Sequence, residues 1–292
     1  PRVRGTGRRS RQALRGRPPR RRSLTAQASP GPGTTTRPQK PQRSRLVPIG
    51  LLAAVILTVW SYFTVGLDLG SMLEDIAGGA GIIGEVLDVN WAYFPKTVEP
   101  LIETIQIAII ATIMGCAIAL PLSFIASRVT TPNAWVMRLD RWTLNVIRAL
   151  PDLLYAMIFV AALSIGVTAG ILALIFFNIG VMAKLLSETV DAVDTGPMEA
   201  AQASGATHWQ TIRASVFPQV TPNYVSFALY IFELNIRAST GIGLVGAGGI
   251  GFLLTVQMDM FRYGNIGLII LEIFVLVLLI ELASNALRRR LV

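Results

Sequence analysis

The chain has 292 residues, of which 52% are hydrophobic and only 15% are charged, and its formal net charge at pH 7 is +9. Soluble domains carry charges on about a quarter of their residues, whereas the apolar residues here fall in long runs without ionisable side chains. These features exclude a soluble enzyme and predict an all-α, polytopic membrane protein. With one cysteine and one histidine, neither a disulfide-stapled module nor a metal site is expected.

Residues 1–48 form a strongly basic segment. It contains thirteen arginines and one lysine, no acidic residue, and many Pro, Gly, Ser and Thr residues. Such a composition buries too little apolar surface to offset the entropy of ordering, which predicts a disordered cytoplasmic tail. The charge alone would also suit a nucleic-acid-binding arm, but no aromatic residue is present to stack on a base. A solvated tail that fixes the orientation of the chain, with contact to anionic lipid as an additional role, is therefore preferred, and no nucleic-acid partner is expected.

About six transmembrane helices are predicted from the apolar runs that follow the tail. The first is residues 49–67, and an outer segment, 68–100, connects it to a core of residues 101–290. Within that core, spans are expected at about 101–127, 148–166, 169–188, 221–240 and 264–286. The third and fourth spans share one apolar run, which we divide near Gly166–Gly170.

The distribution of basic residues predicts the orientation of these spans. If the tail lies inside, the inner segments contain 23 of the 26 basic residues, only Lys96 and Arg262 fall outside, and Arg237 lies at membrane depth. Inner loops of membrane proteins carry such an excess of Lys and Arg. Both termini are therefore predicted to be cytoplasmic.

The outer segment is acidic and contains aromatic residues near its end. Trp91, Tyr93 and Phe94 suit a helix that lies at the membrane interface. We prefer a solvated connection with aromatic anchors, and the alternative is a docking surface for an extracytoplasmic partner. The acidic residues are Asp68, Glu74, Asp75, Glu85, Asp88 and Glu99, against Lys96.

The predicted inner loop 191–218 has the pattern of two short helices. Pro197 suits a first helical position, and the carboxylate of Glu199 in the first turn complements the helix dipole. Gly205 suits a C-terminal cap, and a second helix would then run to Pro218. His208, in this second part, is predicted to be a surface side chain. The pattern indicates a rigid helix–turn–helix under the membrane.

This loop resembles the EAA loop of binding-protein-dependent ABC importer permeases. The resemblance rests on Glu199, Ala200, Ala201, Gly205, Phe217 and Pro218. It implies that these six residues belong to coupling helices, which dock in a groove of a separate ATPase subunit.

Two further stretches look like the permease subunit of phosphonate importers: Arg148-Ala-Leu-Pro151-Asp152, and Phe232–Ser239 followed by the glycine-rich run 241–251. The resemblance implies a type I importer fold with cytoplasmic coupling helices, in a bacterial cell membrane. It also implies a permease homodimer, two ATP-binding cassette subunits and an extracytoplasmic phosphonate-binding protein. The sequence contains no Gly-x-x-x-x-Gly-Lys-Ser/Thr motif, so ATP and Mg are expected on the partner, and no cofactor or catalytic residue on this chain.

The glycine-rich run also matches the dinucleotide-binding fingerprint Gly-x-Gly-x-x-Gly twice. That motif requires a preceding strand and a βαβ unit, but here it follows an apolar helix. We therefore interpret Gly246, Gly248, Gly249 and Gly251 as gate or close-packing glycines.

Ionisable residues at membrane depth usually mark function or pairing. Glu233 and Arg237 have the i, i+4 spacing of an intrahelical ion pair. One interpretation is mutual neutralisation for packing. The other places Arg237 on the substrate path, with Asn235 and Ser239 as neutral donors and Glu233 holding the guanidinium when the site is empty.

Two alternatives to phosphonate import remain. One is an importer for phosphate or phosphite, because a single arginine does not discriminate between these oxyanions and a phosphonate. The other is an ion-driven secondary transporter in which Glu233 and Glu272 carry protons. An inverted internal repeat would favour the second alternative, and none is visible in the sequence.

Overall fold

A computed structural model describes residues 46–66 and 69–289, which form helices and their connections without any β-strand. Up to residue 45, the predicted tail lies outside the described residues. Helix α1, Leu46–Val65, belongs to a first unit of its own. Its Thr58 and Thr64 hydroxyls donate to backbone carbonyls four residues earlier, at 2.8 and 2.7 Å, so these polar groups are satisfied within an apolar helix.

The second unit contains the remaining helices, and the all-α prediction is confirmed for the described residues. A 3₁₀ turn, Trp91–Tyr93, precedes α3, and a π-helical turn, Ile212–Val216, joins α8 to α9. The helices are α2 Leu69–Leu87, α3 Phe94–Ala126, α4 Ala134–Ala149, α5 Asp152–Leu163, α6 Val167–Asp191, α7 Gly196–Ala203, α8 His208–Thr211, α9 Phe217–Gly243, α10 Gly249–Asp259 and α11 Tyr263–Arg288.

Each of the six predicted spans coincides with a helix, but the helices differ in length and polarity. Four of the described helices are long and apolar enough to cross a membrane: α1, α3 together with the turn before it, α6 and α11. Helices α4 and α5 add a fifth span if they form one unit with a bend of 83°. Helix α9 is long enough, but Glu233, Asn235 and Arg237 make it more polar than α1, α3, α6 and α11.

The third predicted span is shorter than expected. It was expected from residue 148, but the chain is extended at Leu150 and Pro151, where α4 ends and α5 has not begun. Proline disfavours a helical conformation in the residue before it, which explains the break. The Tyr155 hydroxyl donates to the Ile147 carbonyl across the bend, at 2.8 Å. The predicted division from the fourth span is found, since Gly166 immediately precedes α6.

The core lies where α3 packs along α6, with α5 and α9 also packed on α6. A Cβ atom at Gly115 would lie only 2.6 Å from the Cβ of Asn178, so the two helices approach closely there. The Asn178 side-chain N–H donates to the Ala111 carbonyl at 3.0 Å. Small residues at helix contacts and a cross-helix hydrogen bond are the usual means of association in a membrane.

The outer segment contains a long helix as well as the turn at Trp91. Helix α2 packs on α11, where a Cβ atom at Gly267 would collide with the Val86 carbonyl oxygen. After α2, the Asn90 backbone N–H donates to the Gly264 carbonyl at 3.1 Å, and its side chain donates to Asn265 at 2.8 Å. These contacts attach the end of the segment to the start of α11. Its location at a membrane interface stays a prediction.

Candidate functional site

The first part of the inner loop is a helix with a defined beginning and end. Helix α7 has Pro197 and Glu199 in its first turn, as the sequence predicted. Gly205 follows the helix with φ of +83°, and its N–H donates to the Gln202 carbonyl at 2.9 Å. A residue with a Cβ atom adopts this left-handed conformation only at a higher conformational free energy than glycine does. Gly205 therefore ends the helix without backbone strain.

The second part of the loop continues into helix α9. Gln210 accepts a hydrogen bond from the Thr207 N–H at 2.8 Å, as part of a capping box that starts α8. The π-helical turn then leads directly into α9, which has Phe217 and Pro218 in its first turn. Proline is tolerated there because the first N–H groups of a helix have no internal partner. The span expected from residue 221 therefore begins earlier, at Phe217.

Several contacts hold the two parts of the loop together and attach the loop to neighbouring helices. The Ser215 hydroxyl donates to the Pro197 carbonyl at 3.0 Å. His208 is exposed, but its Nε2 lies 2.7 Å from the Thr130 carbonyl oxygen, in the segment after α3. One apolar cluster unites α6, α7 and α9 through Leu186, Val190, Met198, Ile212, Val216 and Val220. This cluster packs α7 against both α6 and the beginning of α9.

Gln219 joins the beginning and the end of the loop, a role that the sequence reading missed. Its side-chain carbonyl accepts from the Asp194 N–H at 3.1 Å. Its side-chain N–H groups donate to the carbonyls of Asp194 and Ser215, at 3.2 and 2.7 Å. The Asp194 carboxylate in turn accepts from the Gly196 N–H at 2.9 Å. The Asp-Thr-Gly sequence was a signal for this turn, but nothing in it pointed to Gln219.

The residues predicted to contact an ATPase remain accessible. Ala201 is half-buried, and Glu199, Ala200, Gly205, Phe217 and Pro218 are exposed. The loop thus presents a small-residue surface on a rigid base. The coupling role of these residues stays a prediction.

Arg237 belongs to a network of charges between α9 and α11. Its guanidinium donates to Glu233 at 2.6 Å, the predicted i, i+4 pair, and to Glu281 of α11 at 3.3 Å. The other oxygen of Glu233 accepts from Arg288 at 2.9 Å. Glu233 is nearly buried, and two guanidinium groups compensate its charge. The long-range partners Glu281 and Arg288 were not predicted.

Arg237 also lines a cavity of about 690 Å³. Asp152, at the start of α5, lines the same cavity, and apolar residues of α5, α6 and α9 form most of the remaining wall. The Asp152 carboxylate accepts a hydrogen bond from the Leu153 N–H at 2.9 Å. An anion in this cavity could therefore meet the Arg237 guanidinium against a mainly apolar wall.

The structure does not bring Asn235 and Ser239 into this cavity with Arg237. The Asn235 side chain is fully buried and donates to the Thr112 hydroxyl of α3 at 2.8 Å. The Ser239 hydroxyl is also buried and donates to the Ile236 carbonyl of its own helix at 3.1 Å. Both residues therefore lie on the packed face of α9, and their predicted role as neutral donors to substrate finds no support in this geometry.

The glycine-rich run forms the connection from α9 to α10. Gly246, Gly248 and Gly249 have φ values of +93°, +83° and +70°. At the start of α10, the Gly249 N–H donates to Glu103 at 3.1 Å and the Ile250 N–H donates to the Thr104 hydroxyl at 2.8 Å. The run therefore provides turns and close packing, and a gating role stays a prediction.

Glu272 lies on α11 and contacts α3. It accepts a hydrogen bond from the Thr97 hydroxyl at 2.6 Å. Among the described residues, Glu272 forms no ion pair with the Arg237 network. Within residues 46–66 and 69–289, no group of three His, Cys, Asp or Glu side chains could hold a metal ion.

Comparison with known proteins identifies a family whose match to this chain includes the inner loop and Arg237. The model of the family described as "Binding-protein-dependent transport system inner membrane component" matches residues 119–292. The chain is 36% identical to the phosphite transport system permease protein PtxC of Stutzerimonas stutzeri, over 82% of this chain and 86% of that protein.

A second relative is the putative cryptic phosphonate transport system permease protein PhnE2 of Escherichia coli K12. It is 42% identical over 40% of this chain and 97% of its own length. Among solved structures, the inward-facing MetNI methionine ABC transporter contains a chain that matches with a TM-score of 0.62. The identity is 23%, over 70% of this chain and all of that one, so this likeness concerns the fold.

Proposed function

Because the chain belongs to the family of binding-protein-dependent ABC importer permeases, with their type I fold, we propose that it forms the translocation pathway of an ATP-driven phosphonate importer. It would act as a homodimer, with two ATP-binding cassette subunits inside and a phosphonate-binding protein outside. ATP and Mg would be held by the cassette subunits. The observation that carries the substrate proposal is the Arg237 guanidinium on the wall of a mainly apolar cavity.

Arg237 suits a tetrahedral oxyanion for electrostatic and geometric reasons. An ion that leaves water for an apolar path needs a compensating charge and hydrogen-bond donors. A guanidinium offers two parallel N–H groups that match two phosphonate oxygens, and an ammonium group does not. In a homodimer, two copies of Arg237 would face one pathway.

Glu233 provides a partner for Arg237 between transport cycles. When the cavity is empty, Glu233 neutralises the guanidinium at 2.6 Å. When an anion binds Arg237, Glu233 keeps its contact with Arg288 at 2.9 Å, so its carboxylate is not left unpaired in the membrane. The ion pair and the substrate site are therefore two states of one network.

ATP would act on this pathway through the inner loop. Closure of the cassette dimer would move α7, and the apolar cluster and the continuous π-turn would carry that movement into α6 and α9. The pathway would then change from inward-facing to outward-facing. This requires the loop to lie in the cytoplasm, as the excess of basic residues on that side predicts.

The substrate is tested by reconstitution of the full chain with its cassette subunits in proteoliposomes. A binding protein loaded with methylphosphonate, phosphite or phosphate is added, and ATP hydrolysis and uptake are measured. We expect the methylphosphonate form to stimulate both. Stimulation by phosphite or phosphate alone would favour those alternatives, and no stimulation by any ligand would contradict the proposal. The ion-driven alternative does not fit the family, and uptake driven by a proton gradient without ATP would be its signature.

A further inference from the structure

A second cavity, which is polar and open to the surface, lies between α9 and α11 and has a volume of about 620 Å³. It is lined by Ser226 of α9 and by Asn285, Arg288 and Arg289 at the end of α11. Within the described part of the chain, the side chains of Ser226, Asn285 and Arg289 have no hydrogen-bond or ion-pair partner. The Nε of Arg288 is buried and also has none. Four polar side chains thus converge on one cavity with unused donors.

The charges around this cavity do not balance. Glu233 and Glu281 are the two carboxylates of the adjoining network, and they pair with Arg237 and Arg288. The third guanidinium group, that of Arg289, lines the cavity and has no ion pair among the described residues. Among the described residues of this group, one positive charge is therefore uncompensated. Arginines at the C-terminal end of a helix complement its dipole, but that effect does not explain why Ser226 and Asn285 face the same cavity.

An exposed apolar stripe on α11 leads to the cavity. The spacing of Leu271, Val275, Leu278 and Leu282 places them on the helix face that carries Asn285 and Arg289. Their exposed fractions are 37%, 44%, 44% and 59%. The stripe leads to the polar C-terminal end of α11. The distribution of basic residues predicts that this end lies on the cytoplasmic side.

We propose that this cavity binds the phosphate group of an anionic phospholipid, with an acyl chain along the apolar stripe. Basic pockets between transmembrane helices on the cytoplasmic side suit such headgroups. The Arg288 and Arg289 guanidinium groups supply charge-assisted donors, and the Ser226 hydroxyl and the Asn285 amide supply neutral ones. The stripe favours a lipid over a free oxyanion, because a lipid has acyl chains that can pack on the adjoining apolar surface and a free ion has none.

Native mass spectrometry of the full chain with its cassette subunits tests this site. The complex is released from membranes that contain equal amounts of phosphatidylglycerol and phosphatidylcholine of the same chain length. We expect phosphatidylglycerol to be preferred by about fivefold or more, which corresponds to one Arg–headgroup interaction. In Arg289→Gln, and more so with Ser226→Ala added, that preference should fall to the level of phosphatidylcholine.

The matched control is Arg138→Gln, which removes an exposed arginine of α4 that does not line the cavity. The control should keep the preference. A preference that survives in Arg289→Gln, or that falls equally in Arg138→Gln, would overturn the proposal. Inorganic phosphate at millimolar concentration separates the two sources of a phosphate group. If phosphate displaces phosphatidylglycerol, and binds the complex in pure phosphatidylcholine unless Arg289 is changed, the cavity is a free-anion site instead.

Discussion

Gly251 of α10 lies so close to Thr240 of α9 that a methyl group on Gly251 would collide with the Thr240 carbonyl oxygen. The substitution Gly251→Ala should therefore separate the two helices and destabilise the protein by about 1–3 kcal/mol. The midpoint of thermal unfolding in detergent should fall by several degrees, and transport should fall with it.

The matched control for this prediction lies in the same glycine-rich run. A Cβ atom at Gly241 would meet nothing within 4 Å, and α9 is helical there. Gly241→Ala should leave the unfolding midpoint within about a degree of the wild type. Equal midpoints for both variants would show that close packing is not the role of Gly251.

Gly205 should be required for coupling to the ATPase. Its φ of +83° is unfavourable for a β-branched residue by about 1–2 kcal/mol, although nothing lies within 4 Å of the position that a Cβ would occupy. Gly205→Val should therefore distort the end of α7 and lower ligand-stimulated ATP hydrolysis by roughly tenfold. Asparagine tolerates this conformation, so Gly205→Asn is the control and should keep most of the stimulation.

Two results would contradict this prediction. One is normal stimulation in Gly205→Val. The other is an equal loss in both variants, which would indicate that any side chain at this exposed position is harmful. The affinity of the binding protein for its ligand should be unchanged in every case, because that protein is added separately.

The helices of the membrane core were predictable, because the apolar runs are long and their interruptions are chemically distinct. The division at Gly166 and the cap at Gly205 both lie where the sequence placed them. The break at Leu150–Pro151 was missed, although the proline itself carried the signal. Helix α2 was not predicted as a long helix, since its glycines and acids weaken the apolar pattern.

The candidate site was predictable only for contacts between residues that are close in the sequence. The pair Glu233–Arg237 follows from helical spacing, and the same spacing places Asn235 and Ser239 on a different face of α9 from Arg237. The contacts of this pair with Glu281 and Arg288 could not be predicted. They depend on how α11 packs against α9, and no pattern in a single sequence specifies that arrangement.

The orientation of the chain can be tested with single cysteines. Glu85→Cys, at an exposed position in the last turns of α2, should react with an impermeant thiol reagent in intact cells, once the reagent has access to the outer face. Gln202→Cys, on exposed α7, should react only after permeabilisation. The natural Cys116 is buried and is replaced by alanine as background. The opposite labelling pattern would remove the inner loop from any cytoplasmic ATPase.

Arg237 should be required for uptake and not for assembly. Arg237→Gln removes the charge that would compensate a phosphonate in the cavity, and a hydrogen bond to a charged group contributes about 1.5–3 kcal/mol. Uptake into proteoliposomes should therefore fall by roughly thirtyfold or more, and Arg237→Lys, which keeps the charge but loses the fork, should be intermediate. Lys184→Gln breaks an exposed pair with Glu188 and is the control that should transport normally.

The double variant Arg237→Gln, Glu281→Gln separates substrate binding from structure, because it removes one charge of each sign from the network. We expect the double variant to assemble with the ATPase and still fail to transport. If it recovers uptake, or if Arg237→Gln alone transports normally, the role of Arg237 is limited to its ion pairs.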